Sequence, residues 1–287
     1  MATPNVDTRE FLSQTKFYDG YSRFKEFGNG GYESWDEAVD RVMEMHQDNY
    51  AESNGKLTSF IEEARSAYKE QRVLGAQRAL QFGGDQLLKH QMRMYNCTSS
   101  YADRPDFFGE YFYILLCGAG AGFSVQEHHV SKLPQIKNRN KQAKGYIVED
   151  SIEGWASALD VLMSSYFVGG GKHPDFEGRR VFFDLTQIRP KGAKISGGFK
   201  APGPEGLRRS LDKIELILQN LVIDSKEAIS LRPIQVYDIC MHAADAVLSG
   251  GVRRSATICL FSPEDEEMMT AKTGNWFMDN AQRDPYT

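Results

Sequence analysis

The sequence predicts an α/β protein with a helical N-terminal region, and three observations carry that expectation. The first ninety residues hold helical signals only. After Gly83-Gly84, helical and strand-like segments alternate, separated by loops rich in Gly and Pro. The chain, at 287 residues, is also long enough to bury a sizeable core without disulfide staples.

The elements follow in order. Ser34-Trp35-Asp36-Glu37 reads as a capping box, after which Trp35, Val39, Val42 and Met43 fall on one helical face. Thr58 to Leu74 carries Phe60, Ile61, Ala64, Ala67 and Tyr68 at helical spacing, with Gly75 as the expected C-cap. Phe107 to Leu116 predicts an aromatic, apolar helix that ends in the turn Gly118-Ala119-Gly120-Ala121-Gly122, and Phe123 to Val125 a short strand. Leu133 to Lys144 is polar and basic, contains Pro134 and lacks periodicity, which predicts a loop. Ser151 to Phe167 returns to helix, with Trp155, Leu159, Leu162 and Tyr166 at three- and four-residue steps, until Gly169-Gly170-Gly171 stops it. Arg180 to Leu185 has the composition of a buried strand. A long Gly- and Pro-rich connection leads to helices at Leu207–Leu221 and Pro233–Leu248, and to a strand near Ala256 to Phe261.

Composition narrows the class. Hydrophobic residues make up 41% and charged residues 25%, the balance of a globular protein rather than a disordered one. Lys+Arg number 34 against 39 Asp+Glu, a net charge of −5, so no global attraction for nucleic acid is expected and any polyanion site must be local. The four cysteines, Cys97, Cys117, Cys240 and Cys259, show neither metal-ligand spacing nor a disulfide framework, which fits a reducing cytoplasm. The longest apolar stretch, Tyr111 to Cys117, is too short for a membrane span, and Met-Ala-Thr-Pro-Asn lacks the layout of a signal peptide.

Three segments could carry chemistry. Asn96-Cys97 precedes Thr-Ser-Ser, a wettable setting that suits an accessible thiolate; a small packed hydrophobe is the alternative. Gly118 to Gly122 lets the main chain approach a ligand closely. As a dinucleotide fingerprint it fails, because it follows a helix and opens a strand, and a plain tight turn is the other reading. Arg189 to Pro204 places Arg189, Lys191, Lys194 and Lys200 in a Gly-rich loop that leaves the C-terminal end of a predicted strand, where ligands gather in α/β sheets and cations favour phosphates. Gly250 to Ser255, with Arg253-Arg254, is a weaker signal of the same kind. His128-His129 is read as an adjacent pair on a strand, facing opposite ways and without acidic or thiol partners, and so as surface rather than metal site. Glu264 to Glu267 reads as a helix N-terminus, and Cys117, Cys240 and Cys259 read as core.

In order along the chain, these segments resemble the catalytic large subunit of ribonucleotide reductase, nearest the adenosylcobalamin-dependent branch. The resemblance is carried by Tyr21-Ser22-Arg23, Ser34 to Val39 with Arg41-Val42, Asn96-Cys97, Gly118 to Val125 and Asp150 to Trp155. It continues through Asp184 to Ala193, Ala201 to Pro204, Asp238-Ile239-Cys240 and Val252 to Ala256.

The resemblance implies an N-terminal helical region (1–90) followed by the first half of a ten-stranded α/β barrel (91–287). The activity implied is reduction of ribonucleoside di- or triphosphates to 2′-deoxyribonucleotides through a thiyl radical. Cys97 would be one half of a redox-active cysteine pair, and Asn96 and Gly120 would approach the substrate. Asp103, Lys137 and Arg139 would lie in the effector site with its loop 1. Arg189, Lys191, Lys194, Ser196, Gly197 and Gly198 would form loop 2, reporting the bound deoxynucleotide effector to the substrate site. The implied cofactor is adenosylcobalamin or, in its place, a separate radical-generating metal-containing subunit. The implied partners are a C-terminal half of the reductase as a separate polypeptide, a second copy in a homodimer and a thioredoxin- or glutaredoxin-type reductant. The radical-bearing Cys and the second redox Cys are not matched by this sequence, so the chain is expected to be inactive alone. A catalytically incomplete, nucleotide-binding regulatory module is the alternative, and a nicotinamide-dependent dehydrogenase is disfavoured by element order.

Overall fold

The computed structural model describes residues 7–25, 31–53, 55–193, 200–248 and 256–284. They divide into two compact units, one through Tyr95 and one from Asn96 onward.

The first unit is helical: α1 (Thr8–Gly20), α2 (Trp35–Asn49), α3 (Thr58–Lys69), α4 (Gln77–Phe82) and α5 (Asp85–Lys89). The capping box forms as read. The Ser34 hydroxyl accepts from the Glu37 N–H, and the Glu37 carboxylate accepts the Ser34 N–H at 2.8 Å. Val39, Val42 and Met43 are buried with Phe17, Tyr68 and Leu80. In α3 the expected stripe is only partly buried. Ala67 and Tyr68 are inside, whereas Phe60 is 66% exposed and Ala64 is exposed. This helix stops at Lys69, with Glu70 as its C-cap, so Gly75 is not the cap.

The second unit contains all five described strands. β1 (Cys97–Tyr101) and β2 (Gly120–Ser124) flank α6 (Phe107–Leu116), and α7 (Glu127–Val130) follows. Then come β3 (Lys141–Ile147), α8 (Ile152–Tyr166), β4 (Arg179–Asp184), α9 (Glu205–Val222), α10 (Pro233–Leu248), β5 (Thr257–Leu260), α11 (Glu266–Met269) and α12 (Trp276–Asp279). The strands form two parallel sheets, one ordered β1-β2-β5 and one of β3 with β4. Parallel pairing follows from the helical crossovers, which return the chain to the same end of the sheet before each next strand. One continuous core lies under the larger sheet, built from Phe107, Tyr111, Phe112 and Phe123 with Leu159 and Leu162 of α8, Leu211 and Ile214 of α9, and Val236 and Ile239 of α10.

Several expectations are corrected. The glycine run is not only a turn. Gly118, at φ +81°, makes the bend, and the strand already begins at Gly120. The stretch read as a basic loop to Lys144 includes the start of β3, hidden because this strand is exposed and lacks the alternation of a half-buried one. β4 is not a buried strand, since only one face of its two-stranded sheet is covered. Val181 and Phe183 pack inward with Tyr146 and Phe176, and Phe182 is 58% exposed. His128 and His129 sit on the short helix α7, not on a strand, and their rings lie side by side at 4.0 Å. Cys259 is half-buried at the edge of the core, whereas Cys117 and Cys240 are fully inside.

Candidate functional site at the Cys97 strand

Cys97 opens β1, its side chain exposed. Its register partner across the parallel pair is Gly120, whose N–H donates to the Asn96 carbonyl at 2.7 Å. The Thr98 hydroxyl donates to the Gly120 carbonyl at 3.3 Å. A Cβ placed on Gly120 would stand 3.4 Å from the Cys97 sulfur and 3.5 Å from the Ala256 carbonyl oxygen. Glycine at this position therefore leaves the ground beside the sulfur open.

Strand alternation carries this open face along the sheet. Cys97, Ser99 and Tyr101 of β1 lie on it, opposite Gly120, Gly122 and Ser124 of β2, with Ile258 and Leu260 of β5 beyond. Tyr101, Ile258 and Leu260 are exposed there. The other face carries Ala121, Phe123 and Cys259 toward the core.

The four thiols are thereby sorted. Cys97 is accessible; Cys117 and Cys240 are buried, and burial pushes the Cys240 thiol well above its ordinary range. Cys259, on the opposite face from Cys97, is pushed up to about 12 by burial, against a backbone hydrogen bond from Val125. Of the four sulfurs, Cys97 alone combines exposure with an open floor beside it.

The rim at the C-terminal end of β1 and β2 is polar. Asp103 pairs with Arg104, which also binds Glu110 and the Ser100 hydroxyl. The His129 ring nitrogen Nδ1 lies 2.9 Å from the Ser124 hydroxyl, and the Tyr101 ring lies tilted against His129 with ring centres 4.5 Å apart. Burial lowers the His129 pKa, helped by His128 and Lys132. Neither histidine stood out in the sequence for this role, because the Ser124–His129 contact depends on α7.

The basic residues assigned to loop 1 are engaged within the fold. Lys137 donates to Glu177 at 2.7 Å. Arg139 is 8% exposed, pairs with Glu215 and lies over the Tyr166 ring at 4.2 Å. The neck of the loop-2 segment is closed by hydrogen bonds from Gly192 N–H to the Ala201 carbonyl and from Ala201 N–H to the Ala193 carbonyl. Arg189 pairs with Asp150, and Lys191 is exposed. Lys194, Ser196, Gly197 and Gly198, and the Gly250–Ser255 segment, lie outside the described residues.

Among the described residues no group of three or more His, Cys, Asp or Glu forms a metal-ligand set. No helix among them is long and apolar enough to cross a membrane.

The solved structure of a B-12 dependent (class II) ribonucleotide reductase superposes with a TM-score of 0.76 over 93% of this chain and 44% of that chain, at 23% identity, and shares its fold. In sequence the chain is similar, more narrowly, to adenosylcobalamin-dependent ribonucleoside-triphosphate reductases. That of Lactobacillus leichmannii is 28% identical over 304 residues, covering 85% of this chain and 40% of the relative. The putative enzyme of Mycobacterium phage D29 is 25% identical over 286 residues, covering 87% and 40%. The chain thus spans about two-fifths of the length of these curated relatives. No family model matches the sequence.

Proposed function

We propose that this chain is the N-terminal portion of a ribonucleotide reductase catalytic subunit, with Cys97 as one half of the redox pair that reduces the ribose 2′ position. One observation carries the reading: an exposed sulfur held at a strand head beside a glycine-floored, open sheet face, in a chain similar to these reductases over 85% of its length. Replacing a 2′-hydroxyl by hydrogen, with loss of water, consumes two electrons and two protons. Two thiols supply both as their sulfurs join in a disulfide.

Cys97 is one of those sulfurs. Cys117 and Cys240 are sealed in the core and Cys259 faces away, so the second sulfur and the radical-bearing thiol come from a complementary C-terminal half. In this reading residues 1–90 are the helical region, residues 91–287 form the first half of the ten-stranded barrel, and the complement completes it. Asn96 and Gly120 approach the substrate ribose, a ribonucleoside di- or triphosphate. Asp103 and the loop-2 cations Arg189 and Lys191 contact a deoxynucleotide effector, and a second copy of the chain completes the effector site. A thioredoxin- or glutaredoxin-type protein re-reduces the disulfide in the cytoplasm.

The relatives are named for adenosylcobalamin. Among the described residues no group of three or more His, Cys, Asp or Glu could hold a metal ion, and we assign no residue of this chain to that cofactor.

The test is reconstitution with a C-terminal complement and an assay of ribonucleotide reduction. Turnover abolished by Cys97→Ser supports the reading, and turnover indifferent to that change overturns it. Effector binding by calorimetry without turnover under any reconstitution would favour the regulatory-module alternative.

A further inference from the structure

The helix α6 starts without a cap of its own. Asp106, at its N-cap position, has helical backbone angles and makes no side-chain capping bond. The cap comes from another helix. Asp160, in the middle of α8, accepts the Gly109 N–H at 2.9 Å with one carboxylate oxygen. Its second oxygen takes Lys172 Nζ at 2.7 Å. The approach is so close that a Cβ on Gly109 would lie 2.2 Å from both Asp160 oxygens, which requires glycine in the first turn of α6.

Asp160 is 1% exposed, while Lys172 is 45% exposed and belongs to the turn Gly169-Gly170-Gly171-Lys172-His173. That turn leans on the residue preceding α6's cap position, since a Cβ on Gly171 would meet Pro105 at 3.0 Å. A single buried carboxylate therefore joins three pieces of chain: the start of α6, the body of α8 and the turn that follows α8.

We propose that Asp160 is a proton-operated latch, which when ionised ties the Gly169–His173 turn to the start of α6 and when protonated releases the turn's lysine. The neutral acid still accepts the Gly109 N–H through its carbonyl oxygen, so the helix cap survives. What it loses is the charge that holds an otherwise exposed ammonium.

The groups facing Asp160 set the direction. Burial raises its carboxyl to about 6, against the hydrogen bond and charge of Lys172 and the Gly109 N–H, and Asp106 of α6 pushes it further up. Tyr146 of β3 faces it also, and burial raises that phenol. Lys172 is itself raised, its bond to Asp160 and the charges of Asp106 and Glu110 outweighing burial. His173 is lowered by burial and by Lys172, with Asp106 opposing. The folded protein thus holds a proton on Asp160 that the unfolded chain gives up nearer the ordinary carboxylate value, and the tie to Lys172 forms as pH climbs through about 6.

The latch rests on α6, α8 and the turn alone, and stands or falls separately from the proposed activity. The experiment is a pH titration of the full chain by NMR, following the Asp160 side-chain carbon, the Lys172 ammonium and exchange of the Gly109 amide. Asp160 and Lys172 signals moving together with a midpoint near 6 support the latch. In Lys172→Met the Asp160 midpoint rises by roughly one unit. In Asp160→Asn the Lys172 response disappears while the Gly109 amide stays protected. In Asp160→Ala that amide exchanges roughly tenfold faster. An Asp160 midpoint at the ordinary carboxylate value, or one that Lys172→Met leaves in place, overturns the proposal. Should the alanine variant fail to fold, the asparagine and methionine variants decide alone.

Discussion

Cys97 and Gly120 face each other across two parallel strands, and the missing side chain of the second leaves the sulfur of the first uncovered. Alanine at position 120 meets that sulfur at an ordinary contact distance, whereas valine adds methyl groups over it. Gly120→Val is expected to slow labelling of Cys97 by a thiol reagent roughly tenfold, and Gly120→Ala to slow it far less. The two labelling rates, measured on folded protein, check this directly.

The four thiols are expected to react in a fixed order. Cys97 labels first. Cys259 follows slowly, because its thiolate is rare below its raised pKa, and Cys117 and Cys240 react only on unfolding. Mass spectrometry of peptides from a timed alkylation reads the order, and early labelling of Cys240 would contradict the burial described.

Gly109→Ala places a methyl group on the Asp160 carboxylate. The clash involves a helix backbone and a buried side chain, neither free to move, so a loss of about 2–3 kcal/mol is expected in urea denaturation. Gly145→Ala, where a Cβ meets nothing within 4 Å, serves as the control and is expected to be near neutral.

In the first unit the pH dependence has the opposite sign from that at Asp160. Burial raises the Asp40 carboxyl, but hydrogen bonds from Lys69 at 2.8 Å and Arg65 at 2.9 Å outweigh it and leave its pKa lowered. A depressed carboxylate contributes stability above its unfolded pKa and loses it as pH falls through the folded value. The pair is partly exposed, so Asp40→Asn is expected to cost only about 0.5–1 kcal/mol at neutral pH. The difference from the parent protein should close only as pH falls beneath the ordinary carboxylate range, in acid titrations followed by circular dichroism.

What could be read from the sequence was what local chemistry decides. The ends of α2, α6, α8 and α10 are marked by Ser34, Ser151, Pro233 and the glycines after Leu116 and Phe167, and these helices appear nearly as expected. What could not be read depends on partners distant in the chain. β3 carries lysines, glycine and glutamine, and is a strand only because β4 pairs with it. Lys137 and Arg139 look like free cations until Glu177 and Glu215 arrive from later elements. At the site, Asn96-Cys97 and the glycine run each stood out alone. Their apposition is a matter of strand register, which neither segment encodes by itself. Asp160 gave no signal at all, since a single acid in an apolar helix shows its purpose only when a second helix presents a bare N–H to it.

The order β1-β2-β5 means that the third strand of the larger sheet is drawn from far along the polypeptide, with Thr257 pairing back to Ala121. Closing so distant a contact is slow on the scale of local helix formation. On the ribosome, at roughly 5–20 residues per second, the wait for Leu260 to emerge lasts from seconds to tens of seconds after β2 has appeared. During that interval the backbone of Ala121 and Val125 lacks its acceptors at Ala256 and Leu260, and a nascent chain is exposed to wrong pairings along that edge.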